Sequence, residues 1–126
     1  MACILLVDDD DDIRTTVAAV LASEGHDVVE ARNGMHALQE LARDPLPEVI
    51  ILDILMPVMN GFEFLDRMQH DPRIAGIPVL AVTAHAKVGE IRGVVRVIRK
   101  PFDLDRLLES IRIASEPAPQ PLTGAA

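Results

Sequence analysis

The sequence predicts a doubly wound α/β domain, with β-strand and helix alternating five times to build one parallel sheet covered by helices on both faces. Three observations predict it. Short aliphatic and β-branched runs of strand length recur along the chain. Segments with apolar residues at helical spacing lie between them. Turn-forming residues punctuate the joints. At 126 residues the chain is one domain's worth. Its 49% apolar and 25% charged residues match a globular average, which argues against wholesale disorder.

The first strand is expected over Cys3–Val7 and the second over Asp27–Ala31. The third covers Val49–Leu52, the fourth Pro78–Val82 and the fifth Val94–Ile98. Ile13, Val17, Val20 and Leu21 recur on one face of a first helix, which Gly25 ends because a left-handed cap is cheap there. Leu38, Leu41 and Ala42 define a second helix, and Asn33-Gly34 and Pro45-Leu46-Pro47 mark loops on either side of it. Phe62, Leu65 and Met68 define a third. Leu104, Leu107, Leu108 and Ile111 define the last, with Asp103 as its N-cap. Between Val82 and Val94 there is room for two turns at most, and Gly89 and Gly93 disfavour even those. A loop or short helix is expected there. Residues 1–115 form the domain; residues 116–126, rich in Pro and Ala, read as a disordered tail or linker.

Composition narrows the function. Twelve basic against twenty acidic residues give a net charge of −8, a poor match to a phosphate backbone. With no Trp or Tyr and three Phe, stacking platforms for nucleic acid are nearly excluded. A single cysteine, Cys3, allows no internal disulfide and reads as a small buried apolar residue. His26, His36 and His70 read as surface residues, and Met56 and Met59 as packing. No targeting or membrane-spanning segment is visible, so a soluble cytoplasmic domain with no membrane or direct nucleic-acid partner is expected.

In an open parallel sheet, ligands bind beyond the carboxyl ends of the strands. Asp8 and Asp9 follow the first strand, Asp53 the third, Thr83 and Ala84 the fourth, and Lys100 and Pro101 the fifth. Each alone has a bland explanation as a turn former or surface charge. Together they converge on one edge. Three clustered carboxylates repel one another unless a cation is present, and hard oxygen ligands suit Mg²⁺. Asp10, Asp11 and Asp12 read instead as acids favoured at a helix start.

Four strings carry a resemblance to a known family: Ile4 to Asp10, Leu52 to Gly61, Val82-Thr83-Ala84 and Lys100-Pro101-Phe102. In this order at strand ends they strongly resemble the receiver domain of bacterial response regulators, over about residues 3–115. The resemblance implies a flavodoxin-like (βα)₅ fold and a phosphorylation-dependent signalling switch of two-component systems. Asp53 is then the phosphoacceptor. Asp8, Asp9, Asp53 and the Leu55 carbonyl are the Mg²⁺ ligands. Thr83, the Ala84 N–H and Lys100 bind phosphoryl oxygens, and Pro101 follows Lys100 through a cis peptide that aims the lysine into the site. Such a chain is a phosphoacceptor rather than a conventional enzyme, although it can catalyse its own phosphorylation from small phosphodonors and its own dephosphorylation. The implied partners are a sensor histidine kinase or phosphotransfer protein and a downstream effector; a homodimer stays open.

Two departures stand out. Val97 occupies a position, three before the lysine, that is often aromatic in the family. The segment between Thr83 and Lys100 is short, so the fourth helix is expected to be shortened or missing. A pseudo-receiver that binds partners without switching is the alternative. Leu55 and His85 would flank the acyl phosphate, His85 being equally readable as an exposed loop residue. A phosphatase of the haloacid-dehalogenase type needs a second Asp two residues after the nucleophile, where this chain has Leu55. A nucleotide-binding module needs a glycine-rich loop where five Asp residues stand.

Overall fold

The computed structural model describes residues 2–84, 91, 93–101 and 103–115. The elements run β1 (Cys3–Val7), α1 (Asp11–Ser23), β2 (Asp27–Ala31), α2 (Gly34–Leu41), β3 (Val49–Asp53), α3 (Gly61–Gln69), β4 (Val79–Thr83), β5 (Arg96–Arg99) and α4 (Leu104–Ser115). All strand pairs are parallel, in the order β2-β1-β3-β4-β5. The chain therefore starts near the middle, winds to one edge, crosses back over β1 and winds to the other. That reversal opens a crevice at the carboxyl ends of β1 and β3.

Strand alternation divides the core in two. Leu5, Val7, Ile50 and Leu52 pack with Leu41 of α2 and with Phe64, Leu65 and Met68 of α3. Ile4, Leu6, Val49 and Ile51 pack on the other face with Val17 and Leu21 of α1 and with Leu107 and Ile111 of α4. Full burial of each such side chain stabilises by about 1.5–3 kcal/mol. Because β1 and β3 are covered on both faces, their polar ends are held on a rigid base. The outer strands expose charge: Asp27 and Glu30 on β2, Arg96 and Arg99 on β5.

The helix starts follow from side chains that accept otherwise unpaired N–H groups. Asp10 is the N-cap of α1 and accepts from Asp12 and Ile13 at 3.0 and 3.1 Å. Asn33 caps α2 through the His36 N–H at 2.8 Å. Asn60 and Glu63 form a reciprocal capping box on α3. Asp103 precedes α4 and accepts from the Asp105 N–H at 2.9 Å. Each cap contributes about 1 kcal/mol. Gly25 has φ +91°, the left-handed conformation expected after α1.

Several expectations need correction. β3 and β4 each run one residue further, because Asp53 pairs in register with Val82, and Thr83 with Arg99. Asp53 and Thr83 thus end their strands rather than follow them, while Asp8, Asp9, Ala84 and Lys100 follow theirs. β5 starts at Arg96, not Val94, because the chain is still leaving a turn at Gly93, φ +87°. Pro78 lies outside β4, although its carbonyl accepts from the Ile50 N–H. Cys3 is only half-buried, and burial first, then Asp27 and Glu48, raises its thiol pKa. His26 and His36 are half-buried and accept backbone N–H groups from Ala2 and Arg32. Between β4 and β5 no helix occurs among the described residues. His85, Phe102 and the expected tail lie outside those residues, as does most of the segment where the fourth helix was in question. Among the described residues no helix is long and apolar enough to cross a membrane.

Candidate functional site

The carboxyl ends of β1 and β3 place Asp8 and Asp53 side by side, 6% exposed each. Lys100, just past β5, reaches across the sheet end. Its Nζ donates to Asp8 Oδ2 at 3.2 Å and to Asp53 Oδ2 at 3.4 Å. Its backbone N–H donates to the Thr83 carbonyl at 2.8 Å, so the end of β4 sets where the lysine begins. The Lys100–Pro101 peptide is cis. Asp9 is exposed and completes a trio with Asp8 and Asp53, one carboxylate oxygen of each lying within 4.8 Å of the others.

Hydrogen bonds orient the two buried acids. Asp8 Oδ1 accepts from the Asp10 N–H at 2.9 Å, and Asp53 Oδ1 from the Leu55 N–H at 3.3 Å. Burial raises the Asp53 pKa to about 6; Lys100 works against that shift and Asp8 adds to it. For Lys100, burial disfavours the ammonium, but Asp53 and Asp8 outweigh it and raise its pKa. Among the described residues the site is thus short of positive charge: one ammonium faces three carboxylates. Three converging hard oxygen donors with an excess of negative charge fit a divalent cation such as Mg²⁺.

Thr83 is 1% exposed at the end of β4, and Ala84 beside it is exposed. Leu55 is 53% exposed at the rim. The expected residues Asp8, Asp9, Asp53, Leu55, Thr83, Ala84 and Lys100 all lie at the carboxyl edge of the sheet.

Two features were not anticipated. Gly61, first residue of α3, lies so close to β3 that a Cβ there would stand 2.7 Å from Ile54 Cα and 3.1 Å from the Asp53 carbonyl oxygen. Backbone cannot yield as a rotamer can. Gly61→Ala is therefore expected to destabilise the domain by about 2 kcal/mol or more and to displace Asp53. Thermal unfolding measures the first effect and phosphoryl uptake the second; an unchanged midpoint contradicts the close packing. The other feature is Arg14, whose Nη1 donates to the Asp8 carbonyl at 2.8 Å. It is the one basic residue among the first 31, a signal the sequence did carry.

Comparison with known proteins decides the family. The family profile "Response regulator receiver domain" matches residues 4–112. The chain belongs to the response regulator receiver family. The receiver is 35% identical to Protein PilH of Pseudomonas aeruginosa, covering 88% of this chain and 95% of that protein. It is 36% identical to the DNA-binding dual master transcriptional regulator RpaA of Synechocystis, over 89% of this chain and 48% of RpaA, so it spans about half of that regulator's length. Among solved structures, the chemotaxis protein CheY4 of Vibrio cholerae superposes with a TM-score of 0.82 at 30% identity, covering 90% of this chain and 98% of CheY4. Receivers of this family are phosphoacceptor signalling domains that work with histidine kinases and downstream effectors and bind Mg²⁺ at an acidic pocket. This chain is such a phosphorylation-dependent signalling switch, with the flavodoxin-like doubly wound fold of its relatives.

Proposed function

We propose that Asp53 accepts the phosphoryl group, from a phosphohistidine of a sensor kinase or phosphotransfer protein or from a small acyl phosphate. The observation that carries this reading is the Lys100 ammonium placed 3.2 and 3.4 Å from the Asp8 and Asp53 carboxylates, with Asp9 closing the acidic trio. Asp8, Asp9 and Asp53 would hold the Mg²⁺, joined by the Leu55 carbonyl. When bound, the ion supplies charge neutralisation for phosphoryl oxygens and favours the ionised form of Asp53.

An Asp53 oxygen attacks phosphorus in line with the leaving group. The new P–O bond forms as the P–N bond to imidazole, or the P–O bond to acetate, breaks. Charge spreads over three equatorial oxygens during transfer. Lys100 exchanges its bond to Asp53 for one of those oxygens. The Thr83 hydroxyl and the Ala84 N–H take another. Small Ala84 leaves room for the incoming group. The acyl phosphate then carries about two negative charges where the carboxylate carried one. That change draws the end of β4 toward the site and alters the surface beside β5, where an effector reads it. Residues 1–115 serve as the switch and 116–126 as a tail or linker.

The test is incubation of the whole chain with acetyl phosphate, read by intact mass. A gain of one phosphoryl group in Mg²⁺, lost in excess EDTA, is expected. A metal-independent gain, or none, overturns the reading.

A further inference from the structure

Arg14 sits in the first turn of α1, and its side chain is 14% exposed. Its guanidinium uses three donors on three different segments. Nη1 donates to the Asp8 carbonyl at 2.8 Å, Nη2 to Asp11 Oδ1 at 2.7 Å and Nε to Glu30 Oε1 at 3.1 Å. Those partners lie at the end of β1, in α1 and in β2. The β1–β2 ladder stops here: the Asp8 N–H still donates to the Ala31 carbonyl at 3.1 Å, while the Asp8 carbonyl goes to Arg14. The chain can then leave the sheet at Asp9 and enter α1 through Asp10.

This contact differs from an ordinary surface ion pair. A planar fork anchored at three points fixes a main-chain atom, not only two flexible carboxylates. The atom it fixes belongs to Asp8, and the next residue is Asp9. Asp8 is otherwise held by its own N–H, donated to the Ala31 carbonyl, and by its carboxylate, through the Asp10 N–H and Lys100. Lys100 is needed for other bonds during phosphoryl transfer, whereas the Arg14 bond to the Asp8 carbonyl can persist, and that carbonyl belongs to the peptide linking Asp8 to Asp9.

We propose that Arg14 is a positioning residue for the divalent-cation site: it holds the peptide from which Asp8 and Asp9 project and thereby sets cation affinity without touching the ion. The proposal rests on Asp8, Asp9 and Asp53 being the cation's ligands. It also has a sign that charge alone cannot imitate. Arg14 is the lone basic residue among the first 31, against eight acids. If only charge mattered, deleting it would leave the site more negative and tighten binding of a cation. Positioning predicts the reverse.

The test is a Mg²⁺ titration of the full chain followed by NMR on the amides of Asp9, Asp10, Ile54 and Leu55, for wild type, Arg14→Met and Arg14→Lys. Lysine keeps the charge and most of the stem but loses the fork. Weakening on the order of tenfold is expected in both variants, the range typical of residues that orient metal ligands. A variant that binds as tightly as wild type, or more tightly, overturns the proposal. A lowered unfolding midpoint with unchanged Mg²⁺ affinity assigns Arg14 to scaffolding alone and overturns it too. If Arg14→Met does not fold, Arg14→Lys decides. If wild type itself takes up no Mg²⁺, the ligand assignment fails, which is a different result from wild type and variants binding alike.

Discussion

Asp53→Asn is expected to abolish the Mg²⁺-dependent mass gain from acetyl phosphate while leaving the chain folded. An amide is neutral and has no carboxylate oxygen to form the acyl phosphate, yet it has nearly the same shape. The core around it does not depend on the charge: Leu52 and Ile54, its neighbours in sequence, are both fully buried. Phosphorylation falls by the whole signal rather than by a fraction, because among the described residues no other carboxylate stands at the end of β3 beside the ammonium. Intact mass before and after peptide mapping checks this. A gain that persists on Asp8 or Asp9 in the variant would move the acceptor and refute the assignment.

The second large effect concerns stability in metal-free buffer. The Asp53 pKa is raised to about 6 in the fold against an ordinary 3.8. The folded state therefore binds this proton more tightly than the unfolded chain does. Asp53's protonation contributes stability that is fully present below about pH 4 and is lost as pH rises through about 6. At 1.36 kcal/mol per pKa unit, the loss is about 3 kcal/mol. Urea unfolding of wild type and Asp53→Asn across this range isolates it, because the other carboxylates titrate in both. The variant should gain on wild type steadily as pH rises, by about 3 kcal/mol between about pH 4 and neutrality. Saturating Mg²⁺ should close that gap by favouring the carboxylate. Parallel pH curves for the two proteins would show that Asp53 ionises freely in the fold.

Much of this was legible in the sequence, for identifiable reasons. Buried parallel strands write themselves as continuous aliphatic runs, and Val49–Leu52 is one; its neighbour Asp53 then marks the strand end by contrast. The site residues were readable because the fold brings strand ends to one edge whatever their separation along the chain. What stayed hidden depends on distances between segments. Gly61 looks like any helix-start glycine until Ile54 Cα is placed against it. Arg14 looks like a charge on an exposed helix turn until the Asp8 carbonyl is seen to need a donor. The start of β5 was misjudged because Val94 and Val95 have strand character in composition, yet Val95 is 61% exposed at a turn.

The opposite charges on the two outer strands have a consequence for how copies of this domain meet. An unpaired strand edge is a template for adding further strands, and natural proteins guard it with charge. Two copies approaching β5 to β5 would crowd arginines together, and β2 to β2 would crowd acids. Fibril-like stacking of identical edges in register is therefore opposed at both rims.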